Sequence, residues 1–488
     1  MPRRACLFML LATLVIAETL VAQPAFLVED INPYGTAPIL PSNQELTGLG
    51  TDLFFVNSDG VHGYEIWKSD GTGPGTALLI DLCPGICSSL PTSLTVFDGF
   101  LFFFADDGVH GRELWKSDGT AAGTTLVKDI YPGMGNREHF RPGSPGGLLA
   151  ADGVLYFAAD DREHGLELWK SDGTPEGTLL VRDIYLGPNG SDPRPWVAAG
   201  GILLLNADDG THGREPWASD GTAAGTNLIQ DINSGSASST SALPGNAGQD
   251  AIAAPGGGFL FQADNGSLGQ ELWRTDGTEA GTTLVKDISP GGGSEPAGFA
   301  TLGATVYFSA RDTLNGRELW KTDGTEAGTT LVKDINPDQG SSPSEITASG
   351  SRIFFRAFDN SHGFELWSSD GTEAGTLLVR DIFPGAVGGL AAPPNAITAF
   401  DGGVLFLVVG RGLWRSDGSE AGTVQIPGSP DLPAVEFVRE SWARVGGSFF
   451  FSAFGHVYSG PPTLWKSDGL SASKIPTSPP APWSIRAD

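Results

Sequence analysis

The chain has 488 residues and a mass of 50.9 kDa, room for roughly three average domains or one large repeat array. Hydrophobic residues make up 40%, enough for a packed core, which excludes wholesale disorder. Lys plus Arg (29) against Asp plus Glu (57) give 29 − 57 = −28, a charge that repels phosphate backbones and anionic lipid and argues against nucleic-acid or membrane-surface partners.

Residues 1–22 have the form of a secretory signal. Arg3 and Arg4 supply a positive start, Leu7 to Ala17 form an apolar run, and Ala22 offers a small residue before a cut ahead of Gln23. The run is too short for an anchor and Glu18 interrupts it, and no later segment reaches the ~18 unbroken apolar residues of a spanning helix. The expectation is an exported chain, residues 23–488, with no membrane span. Cys83 and Cys87 then remain in the segment CPGIC, and their spacing of four does not match the Cys-x-x-Cys zinc and redox motifs. A small local disulfide is expected, with two free thiols as the alternative.

Self-comparison is the main signal. Trp-x-[Ser/Thr]-Asp-Gly occurs at Trp67, Trp115, Trp169, Trp217, Trp273, Trp320, Trp367, Trp414 and Trp465, in steps of 48, 54, 48, 56, 47, 47, 47 and 51 residues. In the third copy, VLYFAAD (Val154 to Asp160), LELWKSD (Leu166 to Asp172) and TLLVRDI (Thr178 to Ile184) read as strands, with a weaker one before them near Gly147 to Ala151. The 69 glycines and 34 prolines supply turns throughout, and Gly173 and Gly177 bracket a hairpin where positive φ favours glycine. Four strands in about 47 residues is the length of a β-propeller blade.

Adjacent apolar residues in a strand point to opposite faces, so Leu168 and Trp169, like Leu114-Trp115, Phe54-Phe55, Phe354-Phe355 and Phe449-Phe450, need cover on both sides. Radially packed blades provide it; a two-sheet sandwich array, the main rival, would expose half of these side chains. The predicted fold is all-β, one propeller of about nine four-stranded blades, with eight or ten also compatible. The opening FLVEDI (Phe26 to Ile31) matches LVKDI at 126–130, 284–288 and 331–335, while the last copy has a poor final strand around Lys474-Ile475. This phase predicts closure by the N-terminal strand pairing into the C-terminal blade.

The recurring pattern resembles the ELWxxDGT-repeat family of exported bacterial proteins, over residues 26–469. The resemblance implies an extracellular or surface-associated repeat protein and little more. Gly412 and Thr463 stand where the pattern has Glu, so irregular eighth and ninth blades are expected.

Five histidines share one slot five residues before the Trp: His62, His110, His164, His212 and His362; Leu268 and Asn315 fill it in the fifth and sixth copies. Gly follows, then Glu two residues later (Glu65, Glu113, Glu167, Glu215, Glu271, Glu318, Glu365). The functional reading is a ring of sugar or metal sites. The favoured reading is a turn whose Asp and His bond to backbone while Glu pairs with a cation such as the Lys after Trp. Asp106, Asp107, Asp160, Asp161, Asp208 and Asp209 cluster oxygen ligands of the kind calcium takes, but without the full spacing of a calcium loop, so calcium is a weak candidate and no cofactor is expected. The Asp of the Ser-Asp-Gly turn and that of LVKDI recur in the same way, whereas a catalytic carboxylate pair must be singular.

Symmetry breaks in two long links. Tyr131 to Gly147 carries Arg137, Glu138, His139 and Arg141, and Asn233 to Gly258 is rich in Ser, Gly and Ala. Arg137 and His139 are candidate ligand contacts, although a solvated insertion is the favoured reading. The expected function is a secreted, non-enzymatic binding or scaffolding propeller that works as a monomer on an extracellular protein or glycan. The alternatives are a multivalent carbohydrate- or calcium-binding surface protein and an extracellular propeller hydrolase acting on glycans.

Overall fold

The computed structural model describes residues 46–133, 147–240, 251–384, 394–408, 411–427, 442–453, 463–470 and 472–473. Among these residues every regular element is a strand, and the strands form nine four-stranded antiparallel sheets, each built from consecutive strands. The third sheet follows the sequence reading closely: Leu149–Ala151, Val154–Asp160, Leu166–Ser171 and Leu179–Arg182. Its register pairs Phe157 with Trp169 and Ala159 with Glu167. The first strands of neighbouring sheets lie side by side from blade 1 to blade 8, Leu46–Leu49 of blade 1 also lies against Trp442–Val445 of blade 9, and blades 8 and 9 share a hydrophobic layer of Leu405, Leu407, Phe449 and Phe451. The fold is a β-propeller of nine blades.

Alternation along the third strand explains the arrangement. Leu168 and Trp169 are both buried, but in different layers: Trp169 packs with Phe102, Phe104 and Leu114 of blade 2, and Leu168 with Leu203 and Leu205 of blade 4. Phe354 and Phe355 divide in the same way between blades 8 and 6. Each buried aromatic or aliphatic side chain contributes about 1.5–3 kcal/mol, and in this geometry the sum accrues between blades, not within one sheet. The layer joining blades 1 and 9 contains Leu53, Phe55 and Trp67 on one side and Val445, Phe450 and Leu464 on the other, so hydrophobic burial itself closes the ring.

Polar stitches run between blades as well. In four blades the lysine after the Trp reaches a glycine carbonyl of the next blade: Lys68 to Gly119, Lys116 to Gly173 (2.8 Å), Lys170 to Gly221 (2.7 Å) and Lys321 to Gly371. The cation of the fourth strand, such as Lys128, donates to the Thr178 carbonyl at 2.6 Å and lies over the Trp169 ring at 5.9 Å.

The two hairpin glycines have different causes. Gly173 has φ +87°, and a Cβ there would press on the Phe102 ring of the preceding blade at 3.0 Å. Gly177 lies outside the left-handed region; a Cβ there would strike Asp172 Oδ1 at 2.0 Å. That aspartate accepts from the Thr174 N–H and hydroxyl at 2.9 and 2.7 Å, and Thr174 Oγ1 accepts from Gly177 N. A carboxylate folded into its own turn leaves no room for a side chain.

Blades 8 and 9 complete four-stranded sheets despite lacking the Glu. The fourth strand of blade 9 is Ala472–Ser473, pairing with Lys466 and Ser467. Residues 26–31, expected to close that blade, lie outside the described residues, as does the 1–22 segment.

Candidate functional site

Antiparallel order places the turns between second and third strands, and the links from each fourth strand to the next blade, at one end of the ring. The sequence-derived candidates among the described residues belong to this end. Arg137 and His139 lie outside the described residues. Cys83 and Cys87, in the link from blade 1 to blade 2, are joined in a disulfide with Cα atoms 5.3 Å apart.

The histidines are not brought together; each stays in its own blade against its own aspartate. His164 Nδ1 lies 2.8 Å from Asp161 Oδ2, while Asp161 Oδ1 accepts from the backbone N–H of Glu163 and His164. The same turn holds His62 on Asp59, His110 on Asp107, His212 on Asp209 and His362 on Asp359. The hydrogen bond to its aspartate raises the pKa of each imidazole. Against the upward push of burial, backbone N–H bonds and the imidazole hold Asp59, Asp107, Asp161 and Asp209 below the usual carboxylate value. The preceding aspartates Asp106, Asp160 and Asp208 each accept the backbone N–H two residues on.

Two blades show what the turn needs. In blade 6, Asn315 Nδ2 donates to Asp312 Oδ2 at 2.7 Å, in the place of the imidazole. In blade 5 acid and base are replaced together, by Asn265 and Leu268, and the backbone bonds to Asn265 Oδ1 persist. A neutral donor suffices, so the pair acts as a turn clasp. Among the described residues, no three His, Cys, Asp or Glu side chains converge as metal ligands.

The glutamates differ from the sequence expectation. Glu and the lysine after Trp occupy positions of opposite parity on the strand and so face opposite sides, which forbids their pairing. All seven glutamates are fully buried. Glu167 accepts from Ile184 N (3.1 Å), Tyr185 N (3.0 Å), Ser191 N (2.8 Å) and Ser191 Oγ (2.7 Å). It thereby locks the link leading to the next blade. Ser89, Ser239, Ser294 and Ser341 serve Glu65, Glu215, Glu271 and Glu318 in the same way. Burial outweighs these bonds and pushes Glu65, Glu113, Glu167, Glu318 and Glu365 up to about 7 and Glu215 to about 6. Sequence reasoning missed the serine partner, though a signal existed: Ser89, Ser191, Ser294 and Ser341 each stand two residues before a proline.

One place at this end departs from the pattern as a cavity. A cleft of about 570 Å³ opens between the blade 6 turn, Arg311 to Gly316, and the links that flank it at Gly292-Gly293 and Pro337 to Gln339. Arg311 stands where blades 2 to 5 have Asp106, Asp160, Asp208 and Asp264, a charge reversal the sequence displays but the repeat reading passed over.

No family model and no curated protein matches the chain. Among solved structures it is similar to the computationally designed Ika8 protein, at 15% identity and a TM-score of 0.37, covering 78% of this chain and 99% of that one. It is also similar to puromycin hydrolase, at 15% identity and a TM-score of 0.33, over 84% of this chain and 64% of that protein.

Proposed function

We propose that the protein is an exported binding or scaffolding propeller that engages an extracellular glycan or protein through the end bearing the Asp-His turns and inter-blade links, without chemical turnover. What supports this reading is the duty of its perturbed carboxylates. Among the described residues, all but one of the acids with raised pKa, which in an enzyme would be the first candidates for acid-base work, are the Glu side chains that hold the links, and they repeat from blade to blade; the exception is Asp334, raised by burial and by the nearby Asp312 and Asp338. The resemblance to the exported ELWxxDGT-repeat proteins and the form of residues 1–22 favour the extracellular setting. The test is a glycan array run beside a hydrolase panel of glycosides, esters and peptides. Saturable binding with unchanged ligand is the expected result. Turnover abolished by substituting a single acid, with the melting temperature retained, would establish the hydrolase reading instead.

A further inference from the structure

The cleft at blade 6 combines three features. Arg311 is exposed on its wall, and its guanidinium has no hydrogen-bond or ion-pair partner among the described residues. Its cross-strand neighbour Arg317 is already engaged by the carbonyl and carboxylate of Glu295. The two acids in the wall are engaged too: Asp312 accepts from Leu314 N, Asn315 N and Asn315 Nδ2, and Asp338 Oδ2 from Asn360 Nδ2 at 2.8 Å. Arg311 is therefore the one cation of the cleft wall without a partner among the described residues, beside two acids that keep their charge because their hydrogen-bond donors are neutral.

The rest of the wall is amphiphilic. Leu314 is 87% exposed beside Pro337, an apolar step at the mouth. Asn315 and Gln339 bring side-chain amides, and Asp338 keeps a second carboxylate oxygen. An unpaired guanidinium forks onto a carboxylate, amide and carboxylate oxygens take vicinal hydroxyls, and an aliphatic step fits the C–H face of a sugar ring. The volume lies within the range of small-ligand sites.

We infer that this cleft binds a carboxylate-bearing saccharide unit of the uronate type, with Arg311 as the anchor of the carboxylate. The inference rests on the binding reading above and gives it a site and a ligand class. It also accounts for the single reversed charge: the residue that blades 2 to 5 use to brace their own turn is exchanged here for one that faces a ligand.

The experiment is calorimetry with digalacturonate, and galactobiose as the neutral control, on the purified protein and on Arg311→Asp. Asp is the repeat's own residue in this slot, where it accepts the N–H two residues on, so the variant is expected to keep the parent melting temperature. The parent should bind digalacturonate and not galactobiose, and Arg311→Asp should weaken the binding at least about tenfold, the loss of one charge-assisted fork. Arg311→Lys, which keeps the charge and loses the fork, should fall between them. No binding of digalacturonate by the parent, equal binding of the neutral sugar, or unchanged binding by Arg311→Asp would each overturn the inference. Those failures leave the wider reading to the array, where other ligands can still bind, whereas turnover of a substrate would defeat that reading and leave Arg311-dependent binding intact.

Discussion

Glu167→Ala is expected to lower stability by about 3 kcal/mol or more, because it strands two buried backbone N–H groups, the half-buried Tyr185 N–H and the Ser191 hydroxyl, each worth ~1 kcal/mol or more when left without a partner. The link it holds joins the outer strand of blade 3 to the inner strand of blade 4, so the loss falls on the interface that carries the hydrophobic layer of Leu168, Leu203 and Leu205. Glu163→Ala, four residues earlier on the exposed turn, is the matched control and should leave the denaturant midpoint where it was. Equal midpoints for the two variants would show that the buried carboxylate does not hold the link.

The second large effect is an inverted pH profile. A glutamate whose native pKa is about 7, against 4.5 when free, holds extra protons in the folded state across that interval, so stability declines as pH rises from about 4.5 to 7. The paired histidines act in the same direction. Their pKa values are raised, so their contribution is complete below the free value of 6.5 and is lost as pH climbs through the native value. Asp59, Asp107, Asp161 and Asp209 act oppositely, and their contribution disappears as pH falls below the free value of 3.8. Chemical denaturation should therefore give maximal stability near pH 5 and a lower value at pH 8. General charge repulsion also grows with pH in so acidic a chain, but it is screened by salt, whereas the buried glutamates are not. The decline should survive 0.5 M salt. Stability that rises steadily from pH 5 to pH 8 would contradict the burial of these acids.

The architecture was legible because its cause is local. The Leu168-Trp169 pair states in two residues that both faces of a strand are covered, and nine repetitions of Trp-x-[Ser/Thr]-Asp-Gly set the number of blades. The Asp-His turn was also legible as turn chemistry, since its partners lie three residues apart. The Glu lock was not, because its donors lie 17 to 24 residues downstream, in links whose sequences vary. Glu and Lys near one Trp invite pairing on charge alone, and only strand parity, with Glu167 facing one side and Lys170 the other, forbids it. Gly177 shows the same limit: its glycine answers to the Asp172 carboxylate, a contact that exists only once the turn is folded. Arg311 was hidden for a different reason. A repeat reading attends to what recurs, and this residue signals by failing to recur.

Closure of the ring is tested most directly by a crosslink across the seam between the first and last blades. A Cβ built on Gly48 lies 3.8 Å from the Val445 Cβ, within the span of a disulfide. Gly48→Cys combined with Val445→Cys, in a background of Cys83→Ser and Cys87→Ser, should form one intramolecular disulfide under mild oxidation, seen by mass spectrometry of a monomer that migrates faster without reductant. Thiols that stay free, or crosslinks that form only between molecules, would mean that blade 1 and blade 9 do not meet.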